Sequence, residues 1–190
     1  MPHDPMILPT GLPVPSDDGA CDHLPGARMP ALSLPSTGGD AFRVDLVPGG
    51  AERLVLYAYP RTGRPGEDPL VPDWDLIPGA RGCTPESCAF RDHAGELRAA
   101  GATVAGLSTQ DTAYQREAAE RLRLPFPLLS DASLELTGAL GLPTTRVAGT
   151  TLLRRLTLVI RGGVVEHCFY PVFPPDGHAA QVLAWLRDHR

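Results

Sequence analysis

The stretch Gly82-Cys83-Thr84-Pro85-Glu86-Ser87-Cys88-Ala89-Phe90-Arg91-Asp92 decides how the rest of the chain is read. Thr84 suits a helix N-cap and Pro85 the first helical position, where its missing N–H would have had no intrahelical partner. On that reading Cys83 sits just ahead of unpaired backbone N–H groups. Those groups and the helix dipole favour negative charge, so they should lower the thiol's pKa and raise the thiolate fraction. Cys88, inside the helix, has no such help. Five helical residues rise about 7.5 Å and turn about 140°, whereas a disulfide wants Cα atoms within about 6.8 Å. A redox pair at this spacing must therefore unwind the first turns once per cycle.

Working outward, residues 54–59 form the near-continuous apolar run Leu-Val-Leu-Tyr-Ala-Tyr, expected of a central strand buried on both faces. Pro60 ends it. The Pro-rich segment at about 61–80 follows, a long loop of the kind that often serves as a lid or interface. The helix opening at Thr84 carries Phe90, Ala94 and Leu97 at helical spacing and should stop at Gly101. Residues 103–108 read as a strand and 113–124 as a helix, with Glu117 and Arg121 as an i,i+4 pair. Residues 126–130 read as a short strand, and 134–140 as a helix ended by Gly141. A single strong strand is expected over 152–160, turned by Gly162-Gly163 into an antiparallel return over 164–169. Residues 178–188 close the chain as an amphipathic helix.

Ahead of this, residues 29–44 read as two short strands around a Gly-Gly turn. The order is a β-pair, then alternating strands and helices, then a hairpin and a last helix. Alternation demands a parallel core and the hairpin adds antiparallel edges, so the fold class is α/β, thioredoxin-like, with a central mixed sheet flanked by helices. Residues 1–22 are expected to be an arm and 23–190 one domain, interrupted by the 61–80 insertion. Function in open α/β sheets gathers at the carboxyl ends of strands, and Cys83 lies there.

Composition bounds the function. The chain has 190 residues, 43% of them hydrophobic, and a formal charge of -5. Scattered basic residues give no electrostatic footprint for nucleic acid or an anionic membrane. No apolar run is long enough for a transmembrane helix, and the first eleven residues lack signal-peptide features, so a cytoplasmic protein is expected. Its four cysteines then read as catalytic, metal-binding or inert.

These residues resemble the peroxiredoxins, and within them the peroxiredoxin Q or bacterioferritin comigratory branch. Gly82-Cys83-Thr84, Glu86, Cys88 and Phe90-Arg91-Asp92 are similar to that branch's peroxidatic motif. Phe126-Pro127-Leu128-Leu129-Ser130-Asp131, Arg155-Leu156-Thr157-Leu158-Val159-Ile160 and Gly177-His178-Ala179 with Val182-Leu183 match further pieces in order. The resemblance implies a thiol-dependent peroxidase with Cys83 as nucleophile and Cys88 as resolving thiol. It makes Arg155 the positive group over thiolate and peroxide, and Pro60 the residue that shields the pocket. It implies a hydroperoxide substrate and thioredoxin or a similar dithiol as reductant. No metal, haem or flavin is implied, and a monomer or weak dimer is expected. The chain also departs from the pattern: Pro60 lies 23 positions before Cys83 (83 minus 60), sixteen more than in the family. Ala80 stands where a hydroxyl residue is expected, leaving Thr62 or Thr84 as a substitute.

Other readings of the same residues stay open. Arg154 competes with Arg155, since neighbouring strand residues face opposite ways. Cys83 and Cys88 can be packing residues, or join His93 at a zinc site that lacks a fourth ligand. Cys21, beside Asp22 and His23, reads as a loop residue and Cys168 as a core or edge thiol. Trp74 is either a packing anchor or part of the pocket mouth. A thiol-disulfide oxidoreductase would use the same pair, although Cys-x-x-Cys would suit it better. A redox sensor would use Cys83 oxidation to expose a surface for a partner.

Overall fold

A computed structural model describes residues 4–190; the first three residues of the expected arm lie outside it. Its centre is a five-stranded sheet in the order β5-β4-β3-β8-β9. β3 (Arg53–Ala58) is the middle strand, and all six of its residues are buried. It pairs parallel with β4 (Ala102–Ser108) and antiparallel with β8 (Leu156–Arg161). β5 (Leu128–Ser130) extends the parallel half, and β9 (Val164–Phe169) returns antiparallel beside β8. The expected N-terminal pair forms as β1 (Ser33–Leu34) and β2 (Phe42–Arg43), which pair antiparallel outside this sheet.

Alternation along β3 divides two cores, because successive side chains of a strand face opposite ways. Val55, Tyr57 and Tyr59 pack with Cys83 and Phe90 of α1 (Cys83–Asp92), Leu97 of α2 (Ala94–Ala99), Ala118 of α3 (Thr112–Leu122) and Val182 of α5 (His178–Asp188). Leu54, Leu56 and Ala58 face the other way, onto Leu136 and Leu140 of α4 (Glu135–Leu140) and Leu24, just past the arm. Gly106 on β4 shows how close this packing is. A Cβ there would lie 2.5 Å from Leu128 Cδ2 and 2.9 Å from the Tyr57 ring.

Two expectations need correction. The helix read as continuous to Gly101 breaks at His93, whose φ of -93° and ψ of 3° are not helical, so α1 and α2 are separate. The single strand read over 152–160 is two strands in different sheets. β6 (Thr144–Val147) and β7 (Thr150–Leu153) form a separate hairpin, and the chain leaves β7 through Arg154 and Arg155 before β8 begins. The apolar residues on both sides of Arg154-Arg155 hid the break, since Leu152 and Leu153 at the end of β7 are buried, as is β8 up to Ile160. The break leaves Arg154 and Arg155 outside both strands, with the Arg154 N–H donating to Pro143 O at 2.9 Å.

Candidate active site

α1 opens close to the carboxyl end of β3. Its N-cap is Gly82, at φ 101° and ψ 13°, a left-handed conformation that glycine adopts at no steric cost. A Cβ at Gly82 would also lie 2.3 Å from Pro175 Cγ and 2.9 Å from Leu8 Cδ1. The helix thus starts earlier than the sequence implied: Cys83 is its first residue, Thr84 is not the cap, and Pro85 lies third. Pro85 still sacrifices no helical bond, because the first four N–H groups of a helix have no intrahelical acceptor.

Cys83 is 2% exposed. Its thiol donates to the Ala80 carbonyl at 3.5 Å and accepts from Arg155 Nη2 at 3.1 Å. The same Nη2 donates to the carbonyls of Gly79 and Arg81, each at 3.2 Å, while Nη1 donates to the Glu86 carboxylate. Arg155 and Glu86 are both buried, so neither charge is screened by water. Arg154 points elsewhere: its Nη1 donates to Asp18 Oδ2 at 2.5 Å and to Tyr170 Oη at 3.1 Å.

Electrostatics correct a further expectation. Burial pushes the Cys83 thiol above its ordinary pKa; the Arg155 charge opposes this, Glu86 adds to it, and a backbone hydrogen bond from Arg61 opposes it. Taking the sulfur out of water penalises the thiolate more than the helix start and the cation recover. Burial likewise raises the Glu86 carboxyl to about 7, against the pull of Arg155. Cys88, also buried, is raised by burial and opposed by the Arg91 charge. Glu86 is the residue that sequence reasoning underused. The available signal was a carboxylate three positions after Cys83, on the same side of the helix.

Two cavities meet at this point. Cys83, Thr84 and Arg61 line one of about 30 Å³. Pro60 and Arg155 line a neighbour of about 350 Å³. Ala80 and Trp74 line both, and so form the partition between them. Trp74 is 5% exposed and packs with Val147 and Leu152 of the β6–β7 hairpin, so the insertion is built into the site. Of the two candidate hydroxyls, Thr62 is committed to Gln110, its Oγ1 donating to Oε1 at 3.1 Å. Thr84 Oγ1 is buried without a hydrogen-bond partner among the described residues. His93 pairs with Glu96 at 3.0 Å, and no group of three or more potential ligands for a metal occurs among the described residues.

The redoxin family model matches residues 24–183. Peroxiredoxin Bcp of Escherichia coli (strain K12) is 30% identical over 168 residues, spanning 86% of this chain and 96% of that protein. Chloroplastic peroxiredoxin Q of Oryza sativa subsp. japonica is 30% identical over 163 residues, spanning 86% of this chain but 66% of that protein. The chain therefore covers just under two thirds of the length of this plant relative. The crystal structure of peroxidoxin BcpB from Mycobacterium tuberculosis superposes with a TM-score of 0.69 at 30% identity, covering 88% of this chain and 98% of that one. Fold and site together define a thioredoxin-like protein with a buried cysteine under an arginine. The chain belongs to the redoxin family, in its peroxiredoxin Q and Bcp branch.

Proposed function

We propose that the chain is a thiol-dependent peroxidase in which Cys83 is the nucleophile, Arg155 its cation, Cys88 the resolving thiol and Pro60 part of the pocket wall. The carrying observation is the 3.1 Å contact between Arg155 Nη2 and Cys83 Sγ. Sulfur attacks the terminal peroxide oxygen, the O–O bond breaks, and the proton lost by Cys83 ends on the departing oxygen as water or alcohol. Arg155 and the Arg61 N–H hold the sulfur's charge as it forms, and Arg155 steadies the charge on the leaving oxygen. Thr84 lines the cavity with Cys83, and its Oγ1, without a partner among the described residues, would hydrogen-bond the peroxide.

The product is a sulfenic acid on Cys83. Cys88 condenses with it, releasing water and forming a disulfide, once the first turns of α1 unwind. Thioredoxin or a similar dithiol reduces that disulfide by exchange. The smaller cavity admits a molecule the size of hydrogen peroxide; an organic hydroperoxide would place its tail across the Trp74 partition. The protein would act as a monomer or weak dimer in a cytoplasmic, reducing setting. The test is peroxide consumption with dithiothreitol set against reduction of insulin disulfides. Turnover of peroxide without insulin reduction is expected, and the reverse would make the chain a thiol-disulfide oxidoreductase.

A further inference from the structure

Two cysteines take no part in this chemistry, Cys21 in the arm and Cys168 on β9. The segment that follows the arm, residues 26–29, runs antiparallel beside β9. Met29 N–H donates to Gly163 O at 2.9 Å, Val165 N–H to Ala27 O at 2.9 Å and Gly26 N–H to Val165 O at 2.8 Å. Further back along the arm, Asp18 accepts from Tyr170 Oη at 2.9 Å. Cys21 lies between these two fixed points on one side and Cys168 between them on β9, with the chain turning at residues 19–24, where Asp22 N–H donates to Gly19 O and Leu24 N–H to Cys21 O. Cys21 belongs to the buried cluster that holds Leu24 and Leu158, Cys168 packs against that cluster, and the two thiols interact electrostatically. Phe169, the next residue on β9, packs in the other cluster with Cys83. The sheet thus separates this pair from the catalytic thiol.

We propose that Cys21 and Cys168 are a second redox-active pair, which closes a disulfide fastening the arm to β9. A hydroperoxide oxidises one thiol to a sulfenic acid and leaves as water or alcohol. The second thiol displaces that hydroxyl as water, so two thiols lose two electrons and two protons and one peroxide is reduced. Among the described residues no cation lowers the Cys168 thiol as Arg155 does that of Cys83. The Cys21 contact, burial and the Asp17 charge all hold the Cys168 thiol up. The reaction is therefore slow beside that at Cys83, and records sustained exposure instead of each turnover. Its consequence reaches the site, because Val14, Pro15 and Asp18 of the arm line the cavity beside Pro60 and Arg155.

The inference stands whether or not Cys83 is the nucleophile, and its test removes that thiol. The full chain carrying Cys83→Ser and Cys88→Ser is reduced, desalted and exposed to hydrogen peroxide, then digested without reductant. A cross-linked peptide pair holding Cys21 and Cys168 is expected, with both thiols lost to alkylation together and restored by dithiothreitol. Adding Cys21→Ser should abolish the cross-link and leave Cys168 gaining oxygen. The same cross-linked pair should appear in the unaltered chain, which keeps the test valid if the double variant misfolds. Thiols that stay separately alkylatable in the folded unaltered chain, or that gain oxygen without cross-linking, would overturn the proposal.

Discussion

Arg155 Nη2 lies 3.1 Å from Cys83 Sγ while its Nη1 holds the Glu86 carboxylate, so a single buried guanidinium serves a thiol and a carboxylate together. The carboxylate compensates a cation that would otherwise be expensive to bury. It also draws on the positive charge that a thiolate needs. Burial and Glu86 hold the Cys83 thiol up, while Arg155 and the Arg61 N–H oppose them.

Arg155→Ala should push the Cys83 pKa higher still, because burial would then act with the cation gone. The peroxide reaction at neutral pH should slow by well over tenfold, more than about 1.4 kcal/mol. Arg154→Ala should do far less, since its partners are Asp18 and Tyr170. Stopped-flow oxidation of both variants gives the ranking, and the reverse order would move the role to Arg154.

Glu86→Gln should shift the Cys83 pKa in the opposite direction, downward, by removing a negative charge that raises it. Alkylation by iodoacetamide across pH reports this. The unaltered protein should also show an inflection near pH 7 from Glu86, absent in the variant. An upward shift in the variant would mean that Glu86 acts mainly by positioning Arg155.

His178 offers a pH test of stability. It is buried, with Nε2 2.8 Å from Thr157 Oγ1, and burial holds its pKa down to about 4 from 6.5. Between those values the unfolded chain binds more protons than the folded one. Stability is therefore lost as pH falls from about 6.5 towards about 4, on the order of 3 kcal/mol. Glu86, raised from 4.5 to about 7, has the opposite slope: the folded state binds the extra proton, and stability is lost as pH rises through that range. The difference between the unaltered chain and His178→Gln isolates the histidine. Urea unfolding should show a flatter acid limb in the variant, and parallel curves would contradict the assignment.

Trp74→Ala should open the partition between the two cavities. Truncating so buried a side chain costs about 3–5 kcal/mol, so folding is checked first by circular dichroism. In the folded variant, kcat/KM for cumene hydroperoxide should rise severalfold relative to that for hydrogen peroxide. An unchanged ratio would mean that the insertion shapes no substrate access. Deleting residues 63–78 asks the same question of the whole segment and should alter peroxide selectivity or disulfide formation.

Much of the fold was legible because its signals are local. The apolar run of β3, the Gly162-Gly163 turn and the amphipathic α5 each announce themselves within a few residues. The β6–β7 hairpin was not, since apolar residues on both sides of Arg154-Arg155 read as one strand and concealed two strands of different sheets. At the site, the cysteines and Arg155 stood out through motif and resemblance. The cap did not, because Thr84 and Pro85 are good start signals in isolation. The observed cap is Gly82 in a left-handed conformation, at a position where Pro175 and Leu8 leave no room for a Cβ. The raised Cys83 thiol was equally hidden, since burial is a property of the whole fold and the helix-start argument is local.

The central claim is the division of labour between Cys83 and Cys88. Single-turnover oxidation by hydrogen peroxide, followed by a sulfenic-acid probe and intact mass, separates their roles. Cys88→Ser should react once at Cys83 and stop at sulfenic acid or beyond, while Cys83→Ser should lose the fast phase entirely. Equal loss of that first oxidation in both variants would contradict the account.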